Sequence, residues 1–272
     1  MRHTPISIAF LSLCCALLAS CTTATTSSSS GSNTSAVPVM ADAPAVTAKV
    51  AAVAPVATLP PVTIHLGGDS TVCNYPATTV QEGWGMELGQ FFNDKVTVDN
   101  QAIGGANVQS FHRAGNWTRI IAALQPGDYV LLQFGANDSG TAHGPVHPPE
   151  FVDTLSQMAD EIRAKGATPI LVTPSAFFDW TADGKENNAR LAPYAAACYT
   201  AGAAKNCLVD DLNARGVEWL NSIGKATAAP FYLPVRGAPD KAHFVKSGAT
   251  QMAKMVAGEI KRINSPLAAY LK

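Results

Sequence analysis

A recurring pattern constrains the fold of this chain more than any other feature of its sequence: a short, mainly apolar run that leads to a glycine-containing loop. The pattern occurs three times, where residues 62–66, 96–98 and 129–134 lead to Gly67-Gly68, Gly104-Gly105 and Gly135. Apolar runs without polar alternation are typical of strands that are covered on both faces. Because stretches of helical periodicity separate these runs, the sequence predicts an α/β fold with a parallel sheet.

The same alternation continues to the end of the chain. Two further strands are predicted at residues 169–173 and 207–209. Helices are predicted over residues 83–92, 108–124, 149–165, 187–203, 212–223 and 246–263. Residues 61–272 therefore form one predicted domain, long enough to bury a sizeable core.

The first 20 residues are typical of a secretory signal, with a basic start at Arg2 and an apolar segment over residues 6–18. Leu18-Ala19-Ser20-Cys21 resembles a bacterial lipobox, which implies cleavage before Cys21 and a lipid on that cysteine; a plain signal peptide cut nearby is the alternative. Thr22, rather than Asp, follows Cys21, and this favours the outer membrane. We therefore expect an exported protein that contacts the membrane only through its lipid anchor.

Residues 21–60 form a predicted tether between the anchor and the domain. They are mostly Ala, Thr, Ser, Val and Pro and include no aromatic residue, so they cannot build a core. The whole chain carries 19 Lys and Arg against 20 Asp and Glu, a formal net charge of −1. No basic run is present, which argues against nucleic acid as a partner.

Three of the six cysteines lie in the predicted domain. Cys198 and Cys207 are candidates for a disulfide, because an exported protein meets an oxidising compartment. Cys73 is then left single, and we expect it to be a packing thiol. His143 and His147 are the only histidines close together in the sequence after the signal, but their Gly and Pro neighbours favour a surface loop, so no metal site is predicted.

Ser70 is the candidate nucleophile. A serine after a strand presents its hydroxyl at the carboxyl edge of the sheet, where open α/β folds bind ligands. Acyl transfer by serine also needs a base, a carboxylate that orients the base, and donors for the oxyanion. His243 is the candidate base and Asp240 the candidate carboxylate, since one turn of helix-like backbone would put both side chains on one side.

Three loops at strand ends each offer a donor for the oxyanion: the backbone N–H of Ser70, the backbone N–H of Gly105 and the side-chain amide of Asn137. Asp69 and Asp138 are expected to be structural and to accept backbone hydrogen bonds. Taken singly, these segments are typical of ordinary turns. Their occurrence together and in this order favours a serine esterase that needs no cofactor.

Four segments together resemble the sequence blocks of the SGNH (GDSL) hydrolases: Gly68-Asp69-Ser70, Gly105, Gly135-Ala136-Asn137-Asp138 and Asp240-Lys241-Ala242-His243. Gly83-Trp84-Gly85 and the stretch from Asn100 to Gly105 resemble the rhamnogalacturonan acetylesterase-like branch. The resemblance implies a flavodoxin-like three-layer α/β/α sandwich around a mostly parallel five-stranded sheet. It also implies a Ser–His–Asp triad, a Ser/Gly/Asn oxyanion hole and removal of acetyl groups from a plant polysaccharide.

Three departures from the family pattern concern basic residues. Ala136 stands where the third block usually has His, Ala106-Asn107 where many members have Arg-Ser, and Ser175-Ala176-Phe177-Phe178 where the loop is often Arg-rich. Acidic polysaccharides favour cationic contacts, so the choice between an acidic and a neutral polysaccharide stays open. The esterase chemistry does not depend on these positions.

Four aromatic residues are candidates for a sugar-binding platform: Trp84, Phe177, Phe178 and Trp180. Two rival functions remain open. One is a lipase or thioesterase of the same fold that acts on longer acyl esters, and the other is a non-catalytic, glycan-binding lipoprotein. The Gly-x-Ser-x-Gly pattern of an α/β-hydrolase is absent from the sequence.

Overall fold

The computed structural model describes residues 59–142 and 144–272. The predicted signal segment, Cys21 and nearly all of the predicted tether lie outside these residues. In the described part of the chain, no helix is both long enough and apolar enough to cross a membrane.

The described residues form strands and helices in the predicted alternation. The strands are β1 (Val62–Gly68), β2 (Gln81–Glu82), β3 (Val96–Asn100), β4 (Tyr129–Gln133), β5 (Thr168–Val172), β6 (Leu208–Asp210), β7 (Tyr232–Val235) and β8 (Ala238–Val245). The α-helices are α1 (Trp84–Glu87), α2 (Val108–His112), α3 (Gly115–Ala123), α4 (Pro148–Ala164), α5 (Ala192–Lys205), α6 (Leu212–Ala228) and α7 (Lys246–Arg262).

Five strands form the central sheet in the order β3-β1-β4-β5-β6, and every neighbouring pair is parallel. Counted along the sheet's own strands, this is the 2-1-3-4-5 order of flavodoxin-like folds. The strand order reverses between β1 and β4, so a crevice opens at their carboxyl ends. Ser70 follows β1 and Asn137 follows β4, which places both loops at this crevice.

Apolar side chains cover the central sheet on both faces, as the apolar runs predict. Ile64, Leu66 and Leu131 pack on one face into a core that also contains residues of α6 and α7. Val130 and Leu132 point to the other face, where residues of α2, α3, α4 and α5 complete a second core. The three-layer α/β/α prediction is therefore confirmed.

The glycines at the end of β1 are required by close packing. A Cβ on Gly68 would lie 2.6 Å from Val72 Cγ2 and 3.0 Å from the carbonyl oxygen of Gln133, and one on Gly67 would lie 2.8 Å from Leu132 Cδ2. These distances are too short for ordinary contacts. A larger residue here would push the Ser70 turn away from β4.

The sequence did not reveal a second, three-stranded antiparallel sheet with the order β2-β8-β7. β7 and β8 form a hairpin whose turn contains Arg236 and Gly237, both with positive φ. In this hairpin, Pro234 pairs with Pro239 and Tyr232 pairs with Phe244, so the four residues 240–243 bulge out opposite Leu233. This bulge, and not the expected turn of helix-like backbone, carries Asp240 and His243.

Candidate active site

Ser70 lies in a tight turn directly after β1. The backbone N–H groups of Val72 and Cys73 both donate to the carbonyl oxygen of Asp69, at 3.1 Å each. Asp69 Oδ1 accepts from the backbone N–H and the hydroxyl of Thr71, at 2.9 and 2.8 Å. Complete burial raises the pKa of Asp69 to about 7, although these hydrogen bonds oppose the shift. Ser70 itself remains partly accessible.

A buried polar network supports this turn from below. The Trp84 indole N–H donates to Gln133 Oε1 at 2.7 Å, and Gln133 Nε2 donates to the hydroxyl of Thr71 at 2.9 Å. Gly83 and Gly85 let α1 approach the turn, because a Cβ at either position would lie 2.6 Å or less from backbone atoms of residues 72 and 73. The Gly83-Trp84-Gly85 stretch is thus a support for the Ser70 turn.

The bulge in β8 brings His243 to Ser70. His243 Nε2 lies 2.9 Å from Ser70 Oγ, and His243 Nδ1 lies 3.0 Å from Asp240 Oδ1. With Asp240 ionised, Nδ1 carries the proton and donates, so Nε2 is free to accept from the serine hydroxyl. The structure therefore brings together the three side chains that were predicted to form a triad.

Asp240 is held in place by its own backbone segment. Its Oδ1 accepts from the backbone N–H groups of Ala242 and His243, at 2.7 and 2.8 Å. Partial burial acts to raise the pKa of Asp240, but these two hydrogen bonds and the neighbouring imidazole outweigh it and hold the pKa below its usual range. A carboxylate that stays ionised can orient and stabilise an imidazolium.

The loops that carry Gly105 and Asn137 contact each other, and the Gly105 loop contacts the Ser70 turn. Gly105 has a φ of 80°, which favours glycine, and a Cβ on the adjacent Gly104 would lie 4.0 Å from Ser70 Cβ. Asn137 Nδ2 donates one hydrogen to the carbonyl oxygen of Ala106 at 2.9 Å, which leaves its second hydrogen for a ligand. Within the described residues, neither Ser70 N–H nor Gly105 N–H donates a hydrogen bond.

Asp138 ties together the loops that carry Gly105 and Asn137. Its two oxygens accept from the backbone N–H groups of Val108 and Gly135, both at 2.9 Å. Burial raises the pKa of Asp138 to about 6 in spite of these bonds. The predicted structural role of Asp69 and Asp138, as acceptors of backbone hydrogen bonds, is confirmed.

Comparison with known proteins identifies the family of the chain. Residues 66–249 match the GDSL-like lipase/acylhydrolase family. The chain belongs to this family. The predicted relationship to the SGNH (GDSL) hydrolases, and with it the prediction of an ester hydrolase, is confirmed.

Two relatives are covered almost completely by the match, and a third is covered by little more than half. The "Probable rhamnogalacturonan acetylesterase YesY" of Bacillus subtilis is 33% identical over 211 residues, which cover 75% of this chain and 94% of that protein. Rhamnogalacturonan acetylesterase RhgT of the same organism is 31% identical over 218 residues, covering 76% and 93%. The crystal structure of B. subtilis protein YxiM superposes with a TM-score of 0.68 at 33% identity, covering 75% of this chain and 57% of that one.

The predicted sugar platform is wrong for three of its four aromatic residues. Trp84 is 1% exposed beneath the Ser70 turn, and Phe177 and Phe178 are 5% and 8% exposed. Phe177 packs with Ala136 and Leu191, and Phe178 packs against Tyr232. Trp180 is half-buried and meets Phe178 edge to face, so only Trp180 remains a candidate for sugar contact.

The predicted disulfide is also wrong, because Cys198 and Cys207 are both free thiols. Cys198 Sγ is buried and points at the carbonyl oxygen of Val172, whereas Cys207 Sγ accepts from the Arg163 guanidinium at 3.3 Å. The two sulfur atoms therefore face different neighbours. Cys73 is buried beside Ser70, as expected of a packing thiol.

His147 is exposed, and His143 lies outside the described residues. Within the part of the chain that the structure describes, no group of three His, Cys, Asp or Glu side chains is arranged to hold a metal.

Sequence reasoning missed two side chains at this GDSL-type site. The Tyr75 hydroxyl donates to the carbonyl oxygen of Ser70 at 2.8 Å, and its position after Ser70-Thr71 gave no signal for this contact. The Arg190 guanidinium lies over the Phe177 ring, 5.2 Å from its centroid, and donates to the carbonyl oxygen of Ala136 at 3.1 Å. Arg190 comes from the loop before α5, so only the tertiary fold places it beside Asn137.

Proposed function

We propose that this chain is a serine acetylesterase that removes acetyl groups from a carbohydrate, in the manner of a rhamnogalacturonan acetylesterase. The observation that carries the proposal is the hydrogen-bonded path from Ser70 Oγ through His243 to Asp240, at 2.9 and 3.0 Å, beside the donors of Ser70, Gly105 and Asn137. The names of YesY and RhgT support the substrate class.

In the first half of the reaction, Ser70 Oγ attacks the carbonyl carbon of the acetyl ester while His243 Nε2 takes the hydroxyl proton. The carbonyl oxygen becomes an oxyanion, which the N–H groups of Ser70, Gly105 and Asn137 stabilise. The tetrahedral intermediate then expels the sugar oxygen, which receives the proton from His243. The products of this half are a free sugar hydroxyl and an acetyl group on Ser70.

In the second half, water takes the place of the sugar. His243 removes a proton from the water as its oxygen attacks the acetyl carbonyl, and the same donors hold the second oxyanion. Collapse of this intermediate releases acetate and returns the proton to Ser70 Oγ. Asp240 stabilises the imidazolium in both halves, and the cycle consumes one water for each acetate.

The test is the Ser70→Ala variant, assayed for acetate release from acetylated rhamnogalacturonan and from 4-nitrophenyl acetate. Loss of the nucleophile should lower kcat at least ~1000-fold, with an unchanged circular dichroism spectrum. Ser222→Ala is the matched control, since Ser222 is exposed on α6 and its hydroxyl donates only to the carbonyl oxygen of Trp219. Wild-type turnover in Ser70→Ala would contradict the assignment.

Two further measurements separate the rival functions. A series of 4-nitrophenyl esters of increasing acyl length should show the highest kcat/KM for acetate, and a preference for octanoate would favour the lipase or thioesterase. Saccharide binding with no hydrolysis of any ester would favour the non-catalytic, glycan-binding lipoprotein.

We also propose that the enzyme is exported and anchored to a bacterial outer membrane by a lipid on Cys21, with residues 22–60 as a tether. The support for this part is the sequence alone: the signal-like segment, the lipobox-like Leu18-Ala19-Ser20-Cys21 and the core-poor composition that follows.

A further inference from the structure

We propose that Arg190 determines specificity by binding a carboxylate of the polysaccharide beside the acetyl ester. This inference rests on the proposed esterase function, because it concerns the same site. The sequence predicted an aromatic ring at this rim, but the structure places a guanidinium over Phe177 instead.

The position of Arg190 relative to the site follows from its contacts. Its Nη2 donates to the carbonyl oxygen of Ala136 at 3.1 Å, one residue before Asn137. The Phe177 ring beneath it packs with Ala136, and Ala242 packs against the same small cluster. Ala242 precedes His243. Arg190 therefore lies close to both the loop that carries Asn137 and the β8 bulge that carries His243.

The guanidinium is held in one orientation by neutral groups. Its Nε–H donates to the hydroxyl of Ser139 at 2.8 Å, and the Phe177 face lies under its planar side. Gly140 leaves room for it, since a Cβ there would lie 2.7 Å from Arg190 Nη2. An arginine fixed in this way loses little further side-chain freedom when a ligand binds.

The positive charge of Arg190 is available, because no acidic side chain in the described residues forms an ion pair with it. Its Nη1 group donates no hydrogen bond within the same part of the chain. Lys241, on the β8 bulge, is in contrast already paired, since its Nζ lies 2.9 Å from Asp179 Oδ1. Arg190 remains exposed. The Nη1 hydrogens and the second Nη2 hydrogen of its planar guanidinium are therefore available to a ligand.

A carboxylate fits these donors better than a sugar hydroxyl does. Arginine binds carboxylates through paired N–H donors, and such charge-assisted bonds are about twice as strong as neutral ones. Arg190 contacts the backbone of Ala136, next to Asn137. A carboxylate bound to Arg190 would therefore belong to the acetylated sugar or to a sugar close to it in the chain. The favoured substrate is therefore an acetylated oligosaccharide that contains uronic acid.

The test compares acetylated oligogalacturonides with acetylated xylo-oligosaccharides, which are neutral. Arg190→Gln should lower the ratio of kcat/KM for the anionic over the neutral substrate about ten- to hundredfold, mostly through KM. Arg190→Lys keeps the charge without the planar fork and should recover part of that ratio. Added NaCl should raise KM for the anionic substrate in the wild type and much less in Arg190→Gln.

Lys165→Gln is the matched control. Lys165 is exposed at the end of α4, and α4 runs from the carboxyl edge of the sheet to the opposite edge, so its charge is remote from Ser70. This variant should keep the wild-type ratio. An equal loss on both substrates in Arg190→Gln would show that Arg190 only positions the Asn137 loop, and an unchanged ratio would show that it does not select the substrate; either result overturns the proposal.

A wild-type protein that hydrolyses no acetyl ester would contradict the proposed function instead. Arg190 is then tested by calorimetric titration with oligogalacturonide that carries no acetyl group. Binding that weakens about tenfold or more in Arg190→Gln supports the carboxylate site, and equal binding to both proteins, or binding to neither, overturns it.

Discussion

The side-chain amide of Asn137 is oriented by one hydrogen bond, from Nδ2 to the carbonyl oxygen of Ala106 at 2.9 Å. In the proposed mechanism its second hydrogen stabilises charge that appears only in the transition state. Asn137→Ala should therefore lower kcat about 10²- to 10³-fold with little change in KM. Steady-state kinetics on 4-nitrophenyl acetate measure both constants.

Asn93→Ala is the control for this prediction, because it removes the same amide at the opposite, amino-terminal end of β3, where Asn93 Oδ1 caps the turn at Lys95. A wild-type kcat in Asn137→Ala would show that the Asn137 amide does not stabilise the oxyanion. A loss confined to KM would show that Asn137 binds the substrate without stabilising the oxyanion.

Individual residues differ in how far the sequence predicts their surroundings. Ser70, Gly105 and Asn137 follow strands of one parallel sheet, so topology alone brings them to one edge. The exposure of Phe177 depends instead on what packs over the ring, and Arg190 arrives there from a separate loop. No local pattern in the sequence carries that information.

At the scale of elements, the loop from Phe177 to Asn187 is attached to the β8 bulge. The backbone N–H of Phe178 donates to the carbonyl oxygen of Lys241 at 2.7 Å, and Trp180 forms an isolated bridge with Glu186. Glu186 is 7% exposed, and neither of its carboxyl oxygens has a hydrogen-bond partner among the described residues. Burial, with a smaller contribution from Asp179, raises its pKa to about 7.

The raised pKa of Glu186 makes the stability of the fold depend on pH in one direction. Between the ordinary pKa of 4.5 and about 7, the folded state binds more protons at Glu186 than the unfolded state does. The contribution of Glu186 to the free energy of unfolding therefore falls as pH rises through this window, and the ionised group is destabilising above pH 7. Glu186→Gln should raise Tm at pH 8.5. The gain at pH 8.5 should exceed the gain at pH 5 by roughly 2–6 °C.

Thermal melts of wild type, Glu186→Gln and the control Asp183→Asn at both pH values test this prediction. Asp183 belongs to the same loop, but its pKa is lowered, chiefly by the hydroxyl of Thr181, so its replacement should give no gain at pH 8.5. Equal effects of Glu186→Gln at the two pH values would mean that the carboxyl group is not protonated in the fold.

Elements of the central sheet were more predictable than the small second sheet. Nearly continuous apolar runs mark β4 and β5, whereas β7 and β8 contain prolines and charged residues in no alternating pattern. Prolines ordinarily argue against a strand, and here they are tolerated because Pro234 and Pro239 face each other in a short hairpin. Helix α5 likewise begins at Ala192, later than predicted. The residues before it form other contacts instead: Glu186 pairs with Trp180, and Arg190 donates to Ser139.

At the scale of the whole molecule, the proposal combines a three-layer catalytic domain with a lipid anchor at Cys21. Cys21→Ala should abolish labelling by radioactive palmitate, because the residue that carries the lipid is lost. Cys14→Ala, within the predicted signal segment, should leave the labelling unchanged. Continued labelling of Cys21→Ala would contradict the anchor and leave the esterase proposal intact.

The parallel sheet lets segments that are distant in sequence meet at one crevice, and the antiparallel hairpin then delivers His243 to Ser70. The central claim is that this meeting makes Ser70 a nucleophile. The most direct measurement is mass spectrometry of the protein after reaction with diisopropyl fluorophosphate, which transfers its phosphoryl group to an activated serine and releases fluoride. We expect one adduct, on Ser70, that forms in step with the loss of acetylesterase activity; complete inhibition with the adduct on another residue would contradict the account.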